Sequence, residues 1–339
     1  MTGYFIRRLL LILPTFLGVT LLVFTITRFV PGGPVEQMIS KMQQMNGDKG
    51  SKRLTQGGTA LSEDQIQELK EYYGFDKPVL VSYAQWLFKV VKLDLGTSTR
   101  FNEPVWDVIK KRFPISITYG LTAMFLTYLV CVPLGIWKAI KHTQFFDNAS
   151  SVIVFVGYAI PAYVIAIALV YVFASKLECF PLGGFVSENF SDLNAWAKIK
   201  DLLWHAILPV ASYIAGSFAV MTFLMKNSMM DNLSADYVRT AMAKGLPFNK
   251  AVVGHALRNS LIPIATSFGN SISVILSGSF LVETIFNIDG FGLLGFESIV
   301  QRDYPIVMGT LVISSLLFMI GNILSDICVA IVDPRIQFK

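Results

Sequence analysis

The residues best placed to act on a partner lie in one segment, roughly Lys226 to Ser260. Its core reads Ser234-Ala235-Asp236-Tyr237-Val238-Arg239-Thr240-Ala241-Met242-Ala243-Lys244-Gly245. Asp231, Ser234 and Asp236 favour a helix start because their short side chains accept amide hydrogen bonds. Gly245 favours its stop because glycine enters the left-handed region without steric cost. The pattern predicts a short helix, a sharp turn at Gly245-Leu246-Pro247, and a second helical stretch from Asn249 to Arg258. Small side chains at Ala235, Ala241 and Ala243, beside Tyr237, Arg239 and Lys244, suit a helix that seats in another protein's groove. They suit a solvated loop helix equally well.

Other chemistry is thin. There is no Gly-x-x-x-x-Gly-Lys-Ser/Thr run to cradle nucleotide phosphates, so the chain is not expected to be its own ATPase. His-Glu-x-x-His and Gly-x-Ser-x-Gly are also missing, and no pair of acids marks a proton relay, so no enzyme and no resident cofactor are expected. The three histidines divide as His142 and His255 on the inner side and His205 on the outer, which builds no outward imidazole cluster for a transition metal. Cys131, Cys179 and Cys328 form neither a ligand cluster nor a disulfide framework.

The elements that must carry the segment are apolar. Of 339 residues, 53% are hydrophobic and 15% charged, well below the roughly 25% charge of a soluble domain. Twenty-two of the 51 charged side chains fall between Pro31 and Pro114. The remainder holds runs long enough to fill a hydrocarbon core about 30 Å thick. Six spans are predicted, at about 9–30, 115–137, 151–174, 202–225, 261–286 and 306–332. They contain only Arg28, Glu283 and Asp326 as charged residues, each near a span end and read as an interfacial anchor. Pro14, Pro133, Pro161, Pro209, Pro263 and Gly278 are read as kink and packing positions. The expected organisation is residues 1–30 as amino-terminal end and first span, 31–114 as an extracytoplasmic insert, and 115–339 as a five-span core containing segment 226–260.

Lysine and arginine in the short loops set the orientation. With the amino terminus inside, the inner set has eleven members and the short outer loops four, so both termini are expected in the cytoplasm. The net charge of +5 follows from this bias, and nucleic acid is not an expected partner. Lys138 and Lys226 belong to the inner set, and charge reversal at Lys138 is expected to weaken contact with a partner less than reversal at Arg239. In the insert, Lys41 to Thr59 reads as a flexible excursion. Ser62 to Gln65 is a capping box for a helix ending at Gly74. A second helix should start at Ser82 and a short third one at Pro104. The insert could be a structural cap or a contact for an external partner.

Tyr237-Val238-Arg239-Thr240-Ala241-x-Ala243-Lys244-Gly245, followed by His255-Ala256-Leu257-Arg258-Asn259-Ser260-Leu261-Ile262-Pro263, resembles the EAA-type coupling motif of ATP-binding-cassette (ABC) importer permeases. Arg239-Thr240-Ala241 stands where the general motif has Glu-Ala-Ala, and Pro263 comes late, which is similar to the dipeptide/oligopeptide/nickel subgroup. Tyr4 to Leu10, Arg28 to Pro34, Gly74 to Val79, Asp94 to Ser98, Arg302 to Pro305 and Asp333 to Arg335 are similar to the first permease subunit of these systems. Gly32-Gly33-Pro34, Phe180 to Gly184 and Leu203-Trp204-His205 look most like Yej-type permeases, associated with oligopeptide and peptide-antibiotic (microcin) uptake. The resemblance implies an all-α integral membrane protein of six transmembrane helices, an ABC importer permease (MetI-like) bundle with a helical insert, in the bacterial inner membrane. It implies half of a translocation pathway for peptides, with Tyr237, Arg239, Thr240, Ala241, Ala243, Lys244 and Gly245 coupling to an ATPase. The implied partners are a second homologous permease, two ABC ATPase subunits that bind the ATP, an extracytoplasmic substrate-binding protein and membrane lipid. A nickel or other small-solute permease of the same family, and a gradient-driven secondary transporter, are the alternatives.

Overall fold

The computed structural model describes residues 2–29, 76–276 and 278–332. Described residues form helices: α1 (Thr2–Phe29), α2 (Val79–Val91), α3 (Val105–Ile140), α4 (Phe145–Ala159), α5 (Ala162–Leu169), α6 (Ala195–Ser234), α7 (Asp236–Ala243), α8 (Phe248–Ala251), α9 (Leu257–Ser260), α10 (Ile262–Leu276), α11 (Phe280–Ile285), α12 (Phe291–Val300) and α13 (Tyr304–Val332). Wider turns, with π-type hydrogen bonding, continue α5 through Val170–Lys176 and join α8 to α9 through Val252–Ala256. No strand occurs among the described residues; there is one isolated bridge, Thr97 to Pro104. The excursion predicted at Lys41 to Thr59 and the helix predicted from Ser62 to Gly74 lie outside the described residues.

The chain divides into two compact units, one of residues 11–111 with 295–315, the other of residues 1–10, 112–294 and 316–339. In the smaller, the helix expected at Ser82 starts earlier, at Val79, with Pro78 in the capping position and Ser82 buried inside it. The carboxylate of Asp303, 1% exposed, organises the region around it. It accepts from Ser98 Oγ at 2.5 Å and from the amides of Thr99 and Arg100 at 3.3 and 3.1 Å, while Arg100 pairs with Glu297. Asp94 to Ser98 and Arg302 to Pro305, far apart in the chain, are thus two halves of one staple.

Three predicted boundaries change. The short helix expected at Pro104 and the second span are one 36-residue helix, α3, which carries Pro114 and Pro133 within it. The third span bends by 94° between α4 and α5. The cause is Pro161, which lacks an N–H and forces the residue before it out of the helical region; Ile160 sits at φ −92°, ψ 122°. The fifth span is interrupted after α10. Ser279 is extended, and Gly278 has φ +72° with the Glu283 carboxylate where a Cβ would be. Four helices among the described residues are long and apolar enough to cross a membrane unaided, and the bent α4–α5 pair adds a fifth candidate.

Glu283 is a buried acid of the larger unit, not an interfacial anchor. It is 1% exposed on α11 and accepts from Ser116 Oγ on α3 at 2.9 Å, Tyr213 OH on α6 at 3.4 Å and the Leu293 amide at 2.5 Å. Ser116 Oγ in turn receives the Phe291 amide at 2.8 Å, and Tyr213 OH receives the Ser279 amide at 3.1 Å. One carboxylate therefore ties α3, α6, the broken span and the start of α12 together. Asp326 pairs with Arg8 at 3.1 Å, and Arg28 donates to the Lys77 carbonyl at 2.5 Å. Glu283→Ala would leave several buried donors without an acceptor, each worth about 1–3 kcal/mol. The expected outcome is a lower melting temperature of the detergent-purified protein, with Glu283→Gln intermediate; a wild-type melting curve for Glu283→Ala would remove the hub from this role.

Candidate functional site

The segment 226–260 folds as the sequence suggests, with one shift. Asp231 and Ser234 do not start the short helix, because α6 runs through them to Ser234 and Ala235 alone is extended (φ −71°, ψ 147°) before α7. Helix α7 ends in a Schellman turn, in which the amide of Gly245 donates to the Met242 carbonyl at 2.9 Å and that of Leu246 to the Ala241 carbonyl at 3.2 Å. Gly245 has φ +92° and open space around it, so the backbone conformation, not crowding, requires glycine there.

Side chains of α7 divide sharply. Val238 is fully buried in a core with Met225, Met229, Ala251, Val252 and Ala256, which fastens α7 to α6 and to the α8–α9 stretch. Tyr237 OH donates to Asn232 Oδ1 at 2.5 Å and receives Asn259 Nδ2 at 3.0 Å, so its hydroxyl is a clamp across the segment although the ring is 41% exposed. Thr240 Oγ1 turns back to the Asp236 carbonyl at 2.8 Å. Arg239, Thr240, Ala243, Lys244 and Gly245 are exposed, and Ala241 is half-buried beneath them. The residues singled out from the sequence thus come together on one small helix. Asn232, Val238 and Asn259, which hold it, carry no pattern that sequence reading could separate from an ordinary helix.

Beneath this segment lies a charge cluster that the sequence reading misplaced. Lys138, counted as a loop residue, is fully buried near the end of α3, and Lys226 is nearly so on α6. Both ammonium groups converge on Asp147 in the first turn of α4. Lys226 Nζ lies 2.7 and 2.8 Å from the carboxylate oxygens, and Lys138 Nζ 3.1 Å from one of them. Lys138 Nζ also donates to the Asp147 carbonyl at 2.9 Å and to Ser150 and Ser151 at 2.7 and 2.8 Å. His142 Nδ1 stands 3.2 Å from the same carboxylate, which also accepts the Thr143 amide. The one available signal was Asp147 itself, the only acid between Lys138 and Ser150.

A carboxylate shared by two buried ammonium groups cannot be removed from one side cheaply. Asp147→Asn is expected to destabilise the protein by about 3–5 kcal/mol, the usual cost of stranding buried charge. Lys138→Glu should do at least as much, whereas exposed Arg239→Glu should stay within about 0.5 kcal/mol. This ranking concerns stability, whereas the expectation from the sequence concerned contact with a partner, and it is read from melting curves of the three variants in one detergent. Equal melting temperatures for Lys138→Glu and Arg239→Glu would contradict it.

Comparison with known proteins follows the same segment. Residues 131–338, more than half of the chain, match the family described as binding-protein-dependent transport system inner membrane component. Over its whole length the chain is 40% identical to the inner membrane ABC transporter permease protein YejB of Escherichia coli O157:H7, the alignment covering 100% of both. It is 38% identical to the peptidoglycan transport system permease protein YejB of Agrobacterium fabrum, over 100% of this chain and 99% of that one. It is 35% identical to the oligopeptide transport system permease protein AppB of Bacillus subtilis, again over 100% of both. An all-helical set of apolar spans, a short helix stapled between α6 and α10, and full-length similarity to these permeases place the chain in the binding-protein-dependent transport system inner membrane component family, the membrane permease subunits of ABC transporters.

Proposed function

We propose that this chain forms half of the translocation pathway of an ATP-driven importer for oligopeptides or peptide-like compounds. In this reading it pairs with a second homologous permease, two ABC ATPase subunits hydrolyse the ATP, and an extracytoplasmic binding protein delivers the cargo. It lies in the inner membrane with both termini and segment 226–260 in the cytoplasm. The basic bias of the short loops supports that orientation, and the names of its relatives, for oligopeptide and peptidoglycan transport, support the cargo class.

The observation that carries the coupling role is the division of α7 into a buried anchor and an exposed face. Arg239, Thr240, Ala243, Lys244 and Gly245 offer a small-residue surface with two basic side chains, extended past the turn by Phe248 at 46% exposure. An ATPase that binds this face differently in its two nucleotide states would bias the spans. Val238 and the Tyr237 clamp would hand the displacement to α6 and to the α8–α10 stretch, so the spans tilt as rigid bodies.

Gly245→Val forces a β-branched residue into the left-handed region, at a cost of order 1–2 kcal/mol confined to the turn. The spans should insert normally while ATP hydrolysis is uncoupled from transport or the ATPase subunits are lost on purification. Purified complexes of this variant that retained both ATPases and full ATP-driven uptake would refute the coupling role.

Cargo class has its own test. Deleting the chain should abolish accumulation of labelled oligopeptides and sensitivity to a toxic peptide antibiotic, with nickel accumulation unchanged. A nickel defect without a peptide defect would move the chain to the small-solute alternative.

A further inference from the structure

Helix α2 lies in the segment expected to be an extracytoplasmic insert, and it packs directly on α1. On one side, Tyr83 and Trp86 pack on Phe24 of α1, with ring centroids 5.6 and 5.7 Å away. The Tyr83 hydroxyl donates to the Leu17 carbonyl at 3.1 Å and lies 2.9 Å from Thr20 Oγ1, and Thr20 is fully buried by this contact region. Thr20 precedes the end of α1, Phe29, by roughly 13 Å along the helix axis at 1.5 Å per residue. Half the hydrocarbon core is about 15 Å. With Phe29 taken as the edge of the hydrocarbon, the phenol lies within its apolar depth, while Arg28, bonded to the Lys77 carbonyl, holds the start of α2 near the end of α1.

The opposite side of α2 is apolar and exposed. Leu80, Ala84, Phe88 and Val91 recur at helical spacing, with Leu80 68%, Phe88 61% and Val91 75% exposed. Beside them runs a polar edge, Gln85, Lys89 and Lys92, and Lys92 Nζ sits 4.3 Å over the Phe88 ring. The apolar stripe is continuous in chemistry with the exposed surface of the span it packs on, where Leu13 is 61%, Leu22 59% and Ile26 52% exposed. An apolar face bordered by lysines is what an in-plane interfacial helix requires, because the ammonium groups can reach lipid phosphates while the stripe meets acyl chains.

We propose that α2 is an interfacial helix and that lipid covers its Leu80–Ala84–Phe88–Val91 face, so that this part of the insert is a membrane-seated collar around α1 and not a docking face for a soluble protein. The test uses the complete transporter in bilayers of phosphatidylethanolamine and phosphatidylglycerol, with Cys131, Cys179 and Cys328 replaced. Single cysteines at Leu80, Ala84, Gln85, Phe88 and Lys92 carry a nitroxide, and collision rates with oxygen and with a water-soluble nickel chelate are compared. Oxygen should dominate at Leu80, Ala84 and Phe88 and the chelate at Gln85 and Lys92, an alternation at helical period that is unchanged by adding the extracytoplasmic binding protein. Dominance of the chelate at the three apolar positions would show a water-facing helix and overturn the proposal. So would exclusion of both reagents there, which marks a protein neighbour, or protection only when the binding protein is added. If a label at Phe88 disturbs assembly, Leu80 and Ala84 carry the same comparison.

Discussion

A bilayer interior offers no water to an unpaired backbone group, so a span can break only where the protein itself supplies the missing partner. Both interruptions described above obey that constraint. At Ile160-Pro161 the proline has no N–H to satisfy, and its carbonyl still receives the amides of Val164 and Ile165. At Gly278-Ser279 the freed amide of Ser279 goes to Tyr213 OH, and Glu283 collects the donors that the turn toward α12 leaves over. The Ile288 amide returns to the Glu283 carbonyl at 2.8 Å, so the residue serves the break through its backbone as well as its side chain.

The same constraint explains why so few charges are buried and why each has several partners. Asp147 holds two ammonium groups, Glu283 accepts from the Ser116 and Tyr213 hydroxyls and from the Leu293 amide, and Asp303 accepts from one hydroxyl and three amides. A buried ion is tolerated when its lone pairs are filled by groups from different elements, and it then fixes the relation of those elements more tightly than apolar packing does. The Asp147 cluster joins α3, α4 and α6 on the helix that leads directly into α7. In the proposed coupling role, that rigidity is what allows a push on a helix of eight residues to move spans and not merely bend a loop.

Helix α7 itself is held by one buried valine, by Met242 and Leu246 packed against the same core, by one tyrosine hydroxyl and by a glycine turn. Asp236, Tyr237, Arg239, Thr240 and Ala243 are exposed on it. The local architecture therefore separates anchoring residues, which point inward and are bulky or hydrogen-bonded, from surface residues, which are small or basic.

The all-helical membrane class, the approximate positions of the apolar runs, and the short helix ending at Gly245 were legible in the sequence. Each depends on a one-dimensional property: a run of apolar residues, a local capping pattern, or a glycine where the backbone must turn left-handed. Similarity of motifs added the family. What only the tertiary structure decided are relations across long separations. Lys226 meets Asp147 across 79 positions, Glu283 meets Ser116 across 167, and Asp303 meets Ser98 across 205. No helical period encodes such pairs, so Lys138 read as a loop charge and Glu283 as an interfacial anchor. The 94° bend at Pro161 was half legible, since a proline predicts a kink, but its angle depends on what packs on either side. Burial in hydrocarbon is written along the chain, whereas the pairing of the few polar groups left inside is settled only when distant helices meet.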